Sequence, residues 1–243
     1  MIRSQKKLND TVTPQGPQLD QTEKLILGYE KTASWVATNS RIVIGGAVVL
    51  IAAVVGLFLW NSKKQEEADR AETLLARVNP YFMNGQWRMA IDGDPATRIQ
   101  NEPIMGLRKI AADYGSTKAG QMAKLCLGNS YYYLGKLDSA LAAFDDVSTD
   151  LPLVKASAEA GRAAILEDKG NKAEAAKLFM SAASVESLNP MNADYSYAAA
   201  RNFENSGNKE EAIRLYRKVV EDFQGTYFDD GARRALIRLN VSL

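Results

Sequence analysis

Nineteen consecutive uncharged residues, Ile42 to Trp60 (IVIGGAVVLIAAVVGLFLW), constrain this chain first. At 1.5 Å of rise per residue they make a helix of roughly 28 Å, close to the ~30 Å apolar thickness of a bilayer. Arg41 bounds the run on one side and Lys63-Lys64 on the other, with Trp60 at the level where interfacial aromatics gather. A buried core helix is rarely so long and unbroken, so a transmembrane helix over 42–60 is expected. The 41-residue stretch before it exceeds an ordinary signal-peptide n-region, and no A-x-A site follows before NSKKQEEADR. An uncleaved signal anchor fits better. Lys24, Lys31 and Arg41 on one flank face Lys63, Lys64, Arg70 and Arg77 on the other, which leaves orientation open.

The 183 residues after the run are enough for one domain with a sizeable core. Their charge is balanced, 24 Lys/Arg against 25 Asp/Glu, so they lack the basic footprint of nucleic-acid binding. Histidine is absent, which removes His-dependent triads, the common zinc sites and a histidine pH switch together. The one cysteine, Cys126, lies in an apolar helical stretch and reads as a small buried hydrophobe. No catalytic residue, cofactor, metal or small-molecule substrate is expected. The adjacent carboxylates Asp145-Asp146 and Asp229-Asp230 read as parts of solvated helices pointing in different directions.

Self-similarity organises this region. Gly128, Tyr131, Gly135, Ala140, Phe144 and Val147 fall at offsets 0, 3, 7, 12, 16 and 19. Ala163, Leu166, Gly170, Ala175, Phe179 and Ala182 repeat the spacing, as do Ala200, Phe203, Gly207, Ala212, Tyr216 and Val219. Gly135, Gly170 and Gly207 are 35 and 37 residues apart, near the ~34-residue tetratricopeptide period. The first small residue lets two antiparallel helices approach, and the glycine takes a turn needing positive φ. Alanine packs on the facing helix, and the aromatic fills the gap toward the next unit. A more worn copy comes first: EEADRAETLLARV, then YFMNGQWRMAI with Gly85 and Ala90, then GLRKIAADYG as its second helix. The intervening DGDPATRIQNEP predicts a surface loop. AADYGSTKAGQMAK and VEDFQGTYFDDGARR share a turn in which a helix ends at an aromatic and another begins after Gly-Ser/Thr.

The expected architecture is all-α, a tetratricopeptide-repeat α-solenoid anchored by one N-terminal transmembrane helix. Its parts are a disordered tail (1–20), a juxtamembrane amphipathic helix (21–40) opened by an Asp20–Glu23 capping box, the span (42–60) and the repeat domain (61–243). Within that domain come a degenerate first repeat (66–114, insertion 92–103), repeats at about 121–154, 156–189 and 193–226, and a capping helix (228–240). Ala52 and Gly56 make a small-xxx-small pair for helix contact in lipid.

This layout, with YFMNGQWRMAI…GLRKIAADYGSTKAGQMAKLCLGNSYYYLGKLDSALAAF at its centre, resembles the YfgM-like family of bacterial inner-membrane tetratricopeptide proteins, especially those of the Bacteroidetes and Chlorobi groups. The resemblance implies a protein-binding role ancillary to the Sec translocon, in company with a membrane-anchored periplasmic chaperone. It also implies a cytoplasmic tail and periplasmic repeats. Expected partners are translocon components, that chaperone or secreted clients; a cell-envelope assembly or division scaffold, or a subunit of another membrane complex, is the alternative. Repeats that capture a terminal carboxylate carry lysine, asparagine and arginine on their inner helices. The corresponding sites here hold Leu125, Asn129, Gly161, Asp194 and Ala198, of which only the asparagine matches. The candidate groove is instead Met122, Leu125, Asn129, Tyr132, Tyr197 and Arg201, suited to extended or helical protein segments.

Overall fold

The computed structural model describes residues 21–185 and 189–242, so the tail 1–20 and the expected cap at Asp20 lie outside the described residues. The chain divides into two units between Asn61 and Ser62. In the first, helix α1 (Gln21–Thr38) is followed by Asn39 and the opening part of α2 (Ser40–Met83), whose residues from Ser62 on belong to the second unit. Thr32 and Thr38 return their hydroxyls to the carbonyls of Gly28 and Ser34 at 2.9 and 2.8 Å, satisfying these polar groups within the helix. From Ile42 to Trp60 the large apolar side chains of α2 are exposed, apart from a partly covered Val43, with Leu50 and Phe58 at 68% and 71%. Among the described residues, α2 is the one helix long and apolar enough to cross a membrane.

The second unit is a succession of antiparallel helix pairs. The end of α2 is followed by α3 (Trp87–Asp92), strands β1 (Gly93–Ile99) and β2 (Glu102–Met105), and α4 (Leu107–Asp113). Three regular pairs come next: α5 (Lys118–Tyr133) with α6 (Leu137–Asp145), α7 (Pro152–Asp168) with α8 (Lys172–Ser184), and α9 (Asn192–Asn205) with α10 (Lys209–Asp222). Helix α11 (Tyr227–Arg238) packs on α9 and α10.

One turn closes every pair. Gly85, Gly135, Gly170 and Gly207 have φ of 69°, 69°, 86° and 89°. After each, the next amide reaches back to the carbonyl five residues earlier: Gln86 to Tyr81, Lys136 to Tyr131, Asn171 to Leu166 and Asn208 to Phe203, all at 2.8–2.9 Å. This is the glycine-closed helix terminus that satisfies otherwise orphaned carbonyls, and its fourth copy shows the worn repeat to be built like the others. The related GST and QGT turns also coincide. Thr117 and Thr226 bond the carbonyls of Tyr114 and Phe223, and accept the amides of Gly120 and Asp229 that open α5 and α11.

The aromatic positions lie where the spacing puts them. Phe144, Phe179 and Tyr216 are buried, and Ala140, Ala175 and Ala212 are fully so. A Cβ on Gly128 would stand 2.5 Å from the Phe144 ring, which explains the small residue at that offset.

The insertion departs from expectation: it is an antiparallel hairpin, so the chain is not purely helical. Gly93 pairs with Met105 and Ile99 with Glu102, and Gln100 and Asn101 make the two-residue turn with φ of 54° and 65°. The pairing slips between Asp94 and Arg98, where the Asp94 carboxylate accepts the amides of Ala96 and Thr97 at 2.9 and 3.2 Å. The hairpin leaves and re-enters the second helix of the worn repeat at a single point. A Cβ on Gly106 would lie 2.3 Å from the Ile91 carbonyl oxygen, and one on Gly93 would lie 2.3 Å from that of Ile104. Leaving out residues 93–105, thirteen in all, Leu107 stands four places after Ala90, as Phe144 does after Ala140. Leu107 is 1% exposed and fills the aromatic's place.

Candidate functional site

The first helices of the three regular pairs, α5, α7 and α9, line a concave cleft of about 730 Å3. From α5 come Asn129, Tyr132 and Tyr133. The floor on α7 is Ala160, Gly161 and Ala164, with Glu167 and Asp168 at its end. From α9 come Asp194, Ala198 and Arg201. The floor is low because α7 carries small residues there: a Cβ on Gly161 would meet the Phe144 ring at 2.5 Å. The groove therefore owes its depth to the packing that joins one repeat to the next.

Three of the sequence candidates, Asn129, Tyr132 and Arg201, meet in this cleft. Leu125 is 7% exposed and packs with Ala140, Phe144 and Val154. Tyr197 turns toward α10 and α11, its ring 5.7 Å from Tyr216 and 5.9 Å from Phe228. Met122 is exposed but does not line the cleft. Adjacent helical positions differ by about 100° of rotation, so residues near a repeat boundary pass easily from one face to the next. The remaining marked positions, Gly128, Gly135, Gly170, Gly207, Ala175, Ala212, Phe179 and Tyr216, occupy turns and interhelical packing as described above. Ala52 and Gly56 lie on the exposed stretch of α2, and nothing comes within 4 Å of a Cβ built on Gly56.

Acidic groups in the cleft went unmarked in the sequence, Asp194 excepted. Glu167, 16% exposed, accepts Arg201 Nη2 at 2.7 Å and Asn202 Nδ2 at 2.9 Å, with Lys172 Nζ at 4.0 Å. Burial holds the Asp194 carboxyl above its ordinary pKa, opposed by the Arg201 charge. Burial, then the neighbouring Asp168 carboxylate, pushes the Tyr132 hydroxyl to about 12. On one side the aromatic wall continues outward: Tyr132 meets Tyr133 edge-on at 5.9 Å, and Tyr133 stacks on Trp87 at 4.5 Å.

Three of the four adjacent carboxylates are held by structural partners, and Asp230 is exposed. Asp145 pairs with Arg162 at 2.8 Å, and Asp146 with Lys124 at 2.9 Å. Asp229 is not on a solvated face: it is 5% exposed, accepts the Gly225 amide at 2.9 Å and pairs with Arg233 at 2.6 Å. The need to satisfy amides at the start of α11 draws it inward. Among the described residues no cluster of three His, Cys, Asp or Glu side chains is placed to hold a metal ion.

A second hollow, about 400 Å3, lies between α2 and the hairpin, walled by Leu74, Pro95, Pro103, Ile104 and Met105. Glu102 clasps the hairpin to α2 through Arg70 at 2.6 Å and Arg77 at 2.8 Å, and Tyr81 donates to Asp94 at 2.7 Å.

The sequence profile of the tetratricopeptide repeat-like domain matches residues 33–227, and the chain belongs to that family. No curated protein matches it in sequence. Its fold is similar to two crystal structures of nearly identical TPR-like repeats from a proposed Podosopora anserina kinesin light chain. One of them, a point variant, gives a TM-score of 0.53 and the other 0.51. Each is 16% identical, and the match covers 70% of this chain and 85% of the other. The repeats mark the chain as a protein-interaction scaffold with protein partners, a fold typically without catalytic activity.

Proposed function

We propose that this chain is a non-enzymatic scaffold, held in a bacterial inner membrane by the apolar stretch of α2, whose repeats grip protein partners in the α5–α7–α9 groove. The observation that carries the anchoring is the exposure of the large apolar side chains from Ile42 to Trp60, Val43 alone excepted. No exposed surface of that kind is stable in water, and a helix of that length matches a bilayer. The groove carries the gripping, since it joins an aromatic wall, a small-residue floor and polar groups on one concave face. Ala52 and Gly56 offer a thin strip for a second membrane helix.

The finer reading places the tail in the cytoplasm and the repeats in the periplasm, beside the Sec translocon and a membrane-anchored chaperone. Its support is the layout of tail, single apolar helix and repeats. A photo-crosslinking residue in place of Asn129 tests it in intact cells. Crosslinks to translocon subunits, the chaperone or chains in transit are the expected result, in membranes that resist carbonate extraction. Release of the protein by carbonate removes the anchoring; crosslinks confined to division or wall-building proteins remove the translocon.

A further inference from the structure

The groove has an electrical sign. Of its four charged side chains, Glu167, Asp168, Asp194 and Arg201, three are acids. Glu167 and Arg201 neutralise each other at 2.7 Å. Among the described residues no lysine or arginine pairs directly with Asp168 or Asp194: Arg201 is committed to Glu167 and reaches Asp194 only through its longer-range charge, and Asp168 has the Tyr132 hydroxyl as its neighbour. Asp194 is partly buried, and a desolvated carboxylate in a concave, partly apolar setting focuses its field on whatever enters, while Asp168 stands exposed at the rim.

The remaining chemistry selects among cations. Tyr132 and Tyr133 present aromatic rings beside these acids, surfaces on which a lysine stem or a guanidinium plane lies well. Asn129 makes no side-chain hydrogen bond among the described residues and offers a donor and an acceptor together, the complement of a main-chain amide. The floor of Ala160, Gly161 and Ala164 leaves room for a backbone to pass. We propose that the groove takes an extended, lysine- or arginine-bearing polypeptide segment, its cationic side chains against Asp168 and Asp194 and its backbone along Asn129. This rests on the reading of the groove as the protein-binding face and adds the charge of the partner. The same field repels anionic headgroups and nucleic acid.

The test uses the full chain in a non-ionic detergent and fluorescence anisotropy with three labelled peptides of equal length, alternating alanine with lysine, glutamine or glutamate. The lysine peptide should bind about tenfold more tightly than the glutamine peptide, and the glutamate peptide should bind worst. Added salt should narrow the gap. The double variant Asp168→Asn, Asp194→Asn, which keeps side-chain size, should erase the preference while its circular dichroism stays unchanged. Equal affinity for the lysine and glutamine peptides overturns the charge inference. Spermine that displaces the lysine peptide and binds as tightly overturns the polypeptide assignment. Ala164→Arg, which blocks the floor, separates binding in the groove from the sign of its charge. If it abolishes binding of a glutamine peptide that wild type holds as well as the lysine one, the groove reading stands and the sign fails. If no peptide binds wild type and Ala164→Arg changes nothing, both fail.

Discussion

The ring of Phe144 occupies the place that a side chain on Gly161 would need: Phe144 Cζ lies 2.5 Å from the position of a Cβ there. Phe144 belongs to α6 and Gly161 to α7, so this contact is the seam between two repeats. Gly161 also lies on the floor of the cleft, which couples the seam to the groove above it. Gly161→Ala gains roughly 1 kcal/mol of helix propensity, yet forces a buried ring out of its rotamer at about 1–3 kcal/mol. The expected net effect is a loss of up to about 2 kcal/mol, seen as a thermal midpoint several degrees lower by circular dichroism in detergent. Gly161→Leu should be worse. An Ala variant as stable as wild type would show that the seam yields without strain.

Glu102 joins two turns of one helix to the hairpin by bonding Arg70 and Arg77, and Gln100 adds a bond to Arg77 at 2.7 Å. Arg77 is nearly buried, with its side chain 8% exposed, so Glu102→Ala leaves its charge without a carboxylate. Amide hydrogen exchange of residues 93–105 should accelerate by an order of magnitude or more in that variant. The amides of α7 to α10 should exchange as in wild type, because local opening need not spread through stacked repeats.

Asp94 gives the hairpin a pH limit. Its carboxylate accepts Tyr81 Oη at 2.7 Å and the amides of Ala96 and Thr97, and these bonds hold its pKa down at about 2, against an ordinary 3.8. A depressed acid lends its stability above the unfolded pKa and loses it as pH falls through the folded one. Hairpin protection should thus be complete above about pH 4 and decline toward pH 2. Asp94→Asn should flatten this window, as followed by hydrogen exchange of residues 93–105 or by the near-ultraviolet signal of Tyr81.

The repeats were legible because their signals are local. Gly135, Gly170 and Gly207 need positive φ whatever surrounds them, and the alanine and aromatic after each glycine fall at fixed helical offsets. The hairpin was not, since Pro95 and Pro103 read as strand breakers and Gln100-Asn101 is not one of the strong turn pairs. Asp94 repairs the break that Pro95 makes, a tertiary effect resting on Tyr81 thirteen residues away. In the groove, Asn129, Tyr132 and Arg201 could be placed by helical phase. Leu125 and Tyr197 could not, because their facing depends on how the next pair rotates against them. Asp168 gave no signal, since a charge near a helix end ordinarily looks like solvated surface.

Cys126 supplies a probe of one particular opening. It sits 8% exposed in a cluster that joins the worn repeat to the next, among Leu74, Ile91, Leu107, Ile110 and Ala143. Burial raises its thiol to about 11, so at neutral pH it is almost wholly protonated as well as covered. A maleimide or iodoacetamide should therefore leave the folded chain unmodified over hours and label it promptly in denaturant. The labelling rate then measures how often α2, α4 and α5 part. Glu102→Ala releases only the hairpin and should change that rate little, whereas Leu107→Ala removes the side chain standing in the aromatic's place at an expected cost of about 2–5 kcal/mol and should speed it markedly. Fast labelling of the wild-type chain would mean that the worn repeat is not docked against α5.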